Sequence, residues 1–298
     1  MRILPPLAVG FLLVFAPAAQ AQDSVFESYF EAGKKAFEEK KWEGAAKYYK
    51  LAAKEGDRQN LKNQSQAAAL HNAAAALSNI NKWSEALPLA EKAKLIYTDV
   101  LKGYQEDNIR CTNLLGLCYY KAKRYEEAVT FLEWAVYAVD ESGKLPEILP
   151  YSLLCLGSSR LETDDLKKAE ADLRRSRKLY SEKKLHGGEG DALRYLARVS
   201  LKLKEDVDAY DLFEEASERY LIYAKDAKNG YALVSNCYDE MIAIRTRQKW
   251  PEAVLNLQKR VEEILGEGPA ASRAVLARRY YDRAWDEKNA NKYKDAEA

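Results

Sequence analysis

The run TNLLGLCYYKAKRYEEAVTFLEWA, residues 112–135, decides the fold. Gly116 stands twelve residues before Ala128 and Tyr125 stands three before it, while Leu132 and Ala135 follow at four and seven. Leu114, Leu117 and Tyr120 draw one apolar stripe at helical spacing, and Ala128, Leu132 and Ala135 draw a second. The pattern predicts two helices joined by a tight turn. Glycine on the first and alanine on the second let two backbones approach closely. A bulkier side chain there would hold the helices apart or force strain. The aromatic residue fills the gap beside the turn.

The same cadence returns in KKWEGAAKYYKLAA from Lys40 and in NKWSEALPLAEKAK from Asn81. Aligned on the alanine after the aromatic, the series is Ala45, Ala86, Ala128, Ala169, Ala209, Ala253 and Ala296, at steps of 40 to 44 residues. Three residues earlier stand Trp42, Trp83, Tyr125, Leu166, Asp206, Trp250 and Tyr293; twelve earlier stand Gly33, Ala74, Gly116, Gly157, Ala197, Met241 and Ala284. A further alanine (Ala52, Ala93, Ala135, Ala216) faces the following unit. One hairpin cannot bury its faces alone, so a steady period means stacked units. The expected fold is an all-α solenoid of about seven helical hairpins. Their approximate ranges are 26–60, 67–103, 109–143, 150–184, 190–225, 234–266 and 277–298, the last cut short. Breaker-bearing stretches Asp140–Pro146, His186–Gly190, Asp226–Gly230 and Gly266–Pro269 read as turns between hairpins.

Lys and Arg total 47 against 46 Asp and Glu, so no global charge draws the chain to nucleic acid. The 20 tyrosines against 7 phenylalanines suit half-buried positions where the hydroxyl stays wet. The start, MRILPPLAVGFLLVFAPAAQAQ, places Arg2 before a short apolar stretch and an A-x-A pattern ending at Ala21. This is the expectation of a signal peptide over residues 1–21, cleaved after Ala21. A periplasmic or secreted mature chain would then begin at Gln22 with no membrane insertion. In an oxidising compartment the four cysteines matter. Cys111 and Cys118 sit about 10.5 Å apart along one helix, too far for a disulfide. Cys118 with Cys155 is the pairing left to check; otherwise all four read as small buried thiols.

No metal motif, Walker loop or dinucleotide fingerprint is present, and no cofactor or catalytic residue is expected. His186 opens HGGEG, yet the nucleophile elbow that such a backbone-donor loop serves is missing from the sequence.

Gly116, Tyr125, Ala128, Leu132 and Ala135 together resemble the tetratricopeptide repeat. The period of about 42 residues, longer than the usual 34, is similar to the kinesin light chain-like type. So are the run from Thr112 to Ala128 and the placement of Pro88. The resemblance implies a right-handed superhelix whose first helices line a concave groove for peptides or proteins. Residues flanking each small hairpin residue then point to the groove: His71, Asn72, Asn113, Leu117, Arg194, Tyr195, Arg198, Tyr238, Asp239 and Tyr281. Asn113 matches an amide that such repeats place there, suited to pinning a ligand backbone. Arg194 and Arg198 share a helix face and suit a carboxylate.

The expected function is an exported, non-catalytic scaffold that binds peptides or proteins. The alternative is the N-terminal regulatory array of a longer secreted enzyme, for example one with a caspase-like peptidase domain after residue 298. A third reading is an assembly factor that oligomerises through its open end.

Overall fold

A computed structural model describes residues 25–285 apart from 102, 228, 271, 283 and 284. The leader with its cleavage point at Ala21, and Tyr293 and Ala296 of the last unit, lie outside the described residues. Twelve helices follow in order: α1 (Val25–Glu38), α2 (Trp42–Arg58), α3 (Gln64–Asn79), α4 (Trp83–Val100), α5 (Glu106–Lys121), α6 (Tyr125–Ser142), α7 (Leu149–Glu162), α8 (Leu166–Glu182), α9 (His186–Leu203), α10 (Asp206–Tyr223), α11 (Gly230–Arg247) and α12 (Pro251–Glu267). A 3-10 turn at Pro146–Ile148 leads into α7, and residues 272–282 are helical. No strand occurs among the described residues. The chain forms two compact units divided between Ser176 and Arg177, inside α8.

Each hairpin is closed by backbone alone. Lys40, Asn81, Lys123, Asp164, Lys204 and Lys249 each take a left-handed conformation, with φ between 57° and 64°. The next amide then donates back five residues: Lys41 to Ala36, Lys82 to Leu77, Arg124 to Tyr119, Asp165 to Arg160, Glu205 to Ser200 and Trp250 to Arg245, all at 2.8–3.1 Å. This is the Schellman closure, which satisfies carbonyls that a helix end would leave bare. In five hairpins the next residue, Trp42, Trp83, Tyr125, Leu166 or Asp206, is the first of the second helix. The aromatic signal therefore marks a helix start. There Trp42 packs edge-on to Phe37 at 4.9 Å.

The small residues lie where the spacing put them. Ala45, Ala86, Ala128, Ala169 and Ala209 are fully buried, as are Ala52, Ala93, Ala135 and Ala216. A Cβ on Gly116 would come within 2.7 Å of Leu132 Cγ, and one on Gly157 within 2.7 Å of Leu173 Cγ. Both distances fall far inside van der Waals contact. The sixth hairpin departs: buried Met241 occupies the small-residue position of α11, and Ala253 is only half-buried.

Two expectations need correction. His186–Gly190 is the first turn of α9 and not a joint; the joint is the step at Lys184 (φ 54°). Its glycines serve close packing: Gly187 lies under Tyr223, Gly188 under Tyr180 and Gly190 under Tyr220. Gly266 likewise remains inside α12. Tyrosines are also less wet than composition suggested, since Tyr49, Tyr97 and Tyr220 are fully buried. Tyr220 can be buried because its hydroxyl donates to Asp191 at 2.8 Å and accepts from Arg194 Nε at 3.3 Å.

Candidate functional site

In the first unit the sequence-predicted groove residues stand on α3 and α5. His71, Asn72, Asn113 and Leu117 are all buried. Asn113 turns its carbonyl to the helix behind it, 2.6 Å from Ser152 Oγ of α7, whose single proton it shares with Ile148 O at 2.8 Å. Asn72 lies beside the buried Tyr49 hydroxyl. Neither ring nitrogen of His71 has a hydrogen-bond partner among the described residues. Burial, with a smaller contribution from Arg110, pushes the His71 imidazole down to about 3. Asn113 thus ties α5 to α7, while Asn72 on α3 meets Tyr49 of α2.

His71 makes stability depend on pH in a definite direction. The folded chain keeps it neutral, whereas the unfolded chain protonates it near the ordinary value of about 6.5. Its stabilising contribution is therefore full above pH 6.5 and falls as the pH drops towards 3, by about 1.4 kcal/mol per pH unit. Between pH 7 and 5 the loss should reach about 2 kcal/mol. Urea denaturation at both pH values reads it. His71→Gln should lack that share of the slope, and an unchanged slope in the variant would refute the assignment.

In the second unit the candidates are more accessible. Arg194, Tyr195 and Arg198 share one face of α9 and are half-buried. The two guanidinium carbons sit 4.8 and 5.6 Å from the Tyr195 ring centre, one on each flank in sequence. Arg194 is steadied by Asp191 at 3.6 Å and by the Tyr220 hydroxyl. On α11 Tyr238 is buried and Asp239 is exposed. Asp239 accepts a 2.5 Å bond from Arg279, whose guanidinium also donates to Ser235 at 2.7 Å. Tyr281 is 67% exposed on the helix 272–282. The structure thus gathers Arg194, Tyr195 and Arg198 into one platform. Asp239 forms a separate polar group with Arg279 and Ser235.

Sequence reasoning missed Ser152, Ser235 and Arg279. Their signal is their offset, since they meet partners 39, 44 and 40 residues away, close to one repeat. The same offset carries outer ion pairs such as Arg247–Asp206 at 3.2 Å. All four cysteines are buried thiols. Desolvation pushes Cys111 and Cys237 up to about 12 and raises Cys118 as well, so none of these three is poised as a nucleophile. Cys118 and Cys155 are separate thiols, and the described residues hold no cluster of three or more metal-ligating side chains.

Residues 65–137 match the family model for the tetratricopeptide repeat. No curated protein sequence matches the chain. Among solved structures, the putative kinesin light chain TPR-like repeats of Podosopora anserina are 18% identical. The TM-score is 0.50, over 65% of this chain and 94% of that one. The apo form of RapI is 10% identical with a TM-score of 0.63, over 86% of this chain and 70% of that one. A signal transduction ATPase of Pyrococcus horikoshii, described as having a tetratricopeptide repeat sensor, is 16% identical. Its TM-score is 0.58, over 88% of this chain and 38% of that one. The repeat match falls across α3 to α6, the hairpins on either side are built and closed in the same way, and the chain shares the fold of the tetratricopeptide-like repeats of the kinesin light chain type to which it is similar.

Proposed function

We propose that the chain is an exported, non-catalytic scaffold that holds peptide or protein segments against its first helices. The observation that carries this reading is the α9 platform, with two guanidinium groups about one tyrosine ring. Such a platform offers planar donors for carboxylates and a ring face for apolar groups. Export rests on the leader pattern that ends at Ala21.

The test uses a partner recovered from periplasmic or culture fractions with the chain starting at Gln22. Arg194→Glu with Arg198→Glu should weaken its binding at least tenfold, as expected when a central arginine cluster is reversed in charge. Arg198→Glu alone spares the bond to Tyr220 and separates lost binding from lost packing. Full affinity in both variants would remove the platform from the binding surface.

The second reading is a regulatory array within a larger exported protein. The Pyrococcus horikoshii protein, in which the repeat is described as a sensor, supports it by analogy of fold. The reading frame beyond Ala298 decides it.

A further inference from the structure

The second helices carry a surface that the first-helix reading leaves unused. Lys47, Lys50 and Lys54 follow one edge of α2 at three- and four-residue steps. They border a depression of about 550 Å³ between α2 and the start of α4. Its apolar lining is Ala46, Leu51, Leu77 and Ile80. Farther along the same two helices lies a second depression of about 220 Å³, with Leu61, Leu95 and Ile96 in its wall. Leu95 is 69% exposed.

Charge around the larger depression is unbalanced. Lys50 is held by Glu85 at 2.9 Å, and Lys82 stands 4.0 Å from Glu43. Glu85 is thereby engaged, whereas Glu43 is 81% exposed and only in loose contact with Lys82. Lys47 and Lys54 are exposed and make no ion pair among the described residues. Seven residues apart on one helix, they stand about 10 Å apart along its axis.

We propose that the groove between α2 and α4 docks one amphipathic, acidic helix of a partner protein. Its apolar face would lie along Leu51, Ile80 and Leu95, with two carboxylates seven residues apart against Lys47 and Lys54. A helix fits better than an extended strand because the groove walls are helices, whose backbone bonds are already made and offer no edge to pair with. The two depressions lie along α2, whose 17 residues span about 25 Å, and the ion pairs Lys50–Glu85 and Lys92–Asp57 join α2 to α4 beside them. That length takes four to five helical turns. A flat anionic bilayer would meet the lysines but not the recessed apolar floor.

The probe is a fluorescein-labelled, designed 18-residue helical peptide. Leucines line one face, and glutamates stand seven apart beside them. Fluorescence anisotropy with the full chain should show binding that weakens as salt rises. Lys47→Glu with Lys54→Glu should weaken it at least tenfold, since each change removes an attraction and adds a repulsion. Both lysines are exposed, so the variant should keep its far-ultraviolet circular dichroism. Arg194→Glu with Arg198→Glu should leave this peptide's affinity unchanged, which keeps the result distinct from the α9 platform. Equal binding of a peptide carrying lysines in place of the glutamates would overturn the proposal. So would equal binding by the double lysine variant, or lysine-dependent binding seen only with phosphatidylglycerol vesicles.

Discussion

Replacing Arg160 by alanine should cost about 3 kcal/mol, because it strands a buried carboxylate. Arg160 lies on α7 with only 5% of its surface exposed. One arm of its guanidinium donates to Asp172 of α8 at 2.6 Å, and the other donates to Glu133 of α6. The two acceptors differ in setting. The Glu133 side chain is 54% exposed and can rehydrate, whereas that of Asp172 is 14% exposed and cannot. Burial already raises the Asp172 carboxyl, and the nearby guanidinium is the main force opposing that rise. Removing the arginine leaves desolvation opposed only by the smaller pull of Arg175. Chemical denaturation measures the loss. Arg160→Met combined with Asp172→Leu removes both charges and should recover most of it, since a buried pair adds little beyond an apolar replacement. A loss below about 1 kcal/mol for Arg160→Ala would show that water reaches the site.

Gly188→Val should be nearly as damaging, at about 3 kcal/mol. A Cβ at this position would sit 2.4 Å from the Tyr180 ring. Tyr180 is itself buried, so the ring has little room to yield. Replacing glycine by alanine inside a helix ordinarily gains about 1 kcal/mol from propensity, and β-branched valine gains less. Here the overlap is larger than that gain, and valine adds two methyl groups to it. Gly44 gives the contrast. It lies inside α2, and a Cβ there would meet Ala36 Cβ at an ordinary 3.7 Å. Gly44→Ala should therefore stabilise by up to about 1 kcal/mol. Thermal melts of both variants read the opposite signs. A Gly188→Val protein as stable as its parent would contradict the packing of α9 on α8.

Much of this fold was legible because its two strongest signals are local. A buried alanine three residues after a helix-opening aromatic recurs in the first three hairpins, and residues such as Ala86 and Ala128 declare it without reference to anything distant. Gly188 and Gly190 were misread because glycine answers two demands, turning and close approach. Only the tyrosines pressing on them decide which, and Tyr220 lies thirty residues from Gly190. The binding face was harder still. Which side of a helix faces inward follows from periodicity, but whether Asn113 meets a ligand or Ser152 depends on the neighbouring helix. Nothing in the sequence sets Lys47 and Lys54 apart from other solvated charge. Only the depression beside them distinguishes them.

The hairpin clasp from Lys40 to Lys249 accepts lysine, asparagine or aspartate at its left-handed step, so its shape is written in backbone bonds and not in any one side chain. A segment of some forty residues copied within the gene would arrive with its own clasp already complete. Such a chain can grow or shed whole steps while every remaining joint keeps its geometry. Reach therefore becomes a quantity that evolution can adjust in increments, leaving the chemistry of each rung to drift on its own.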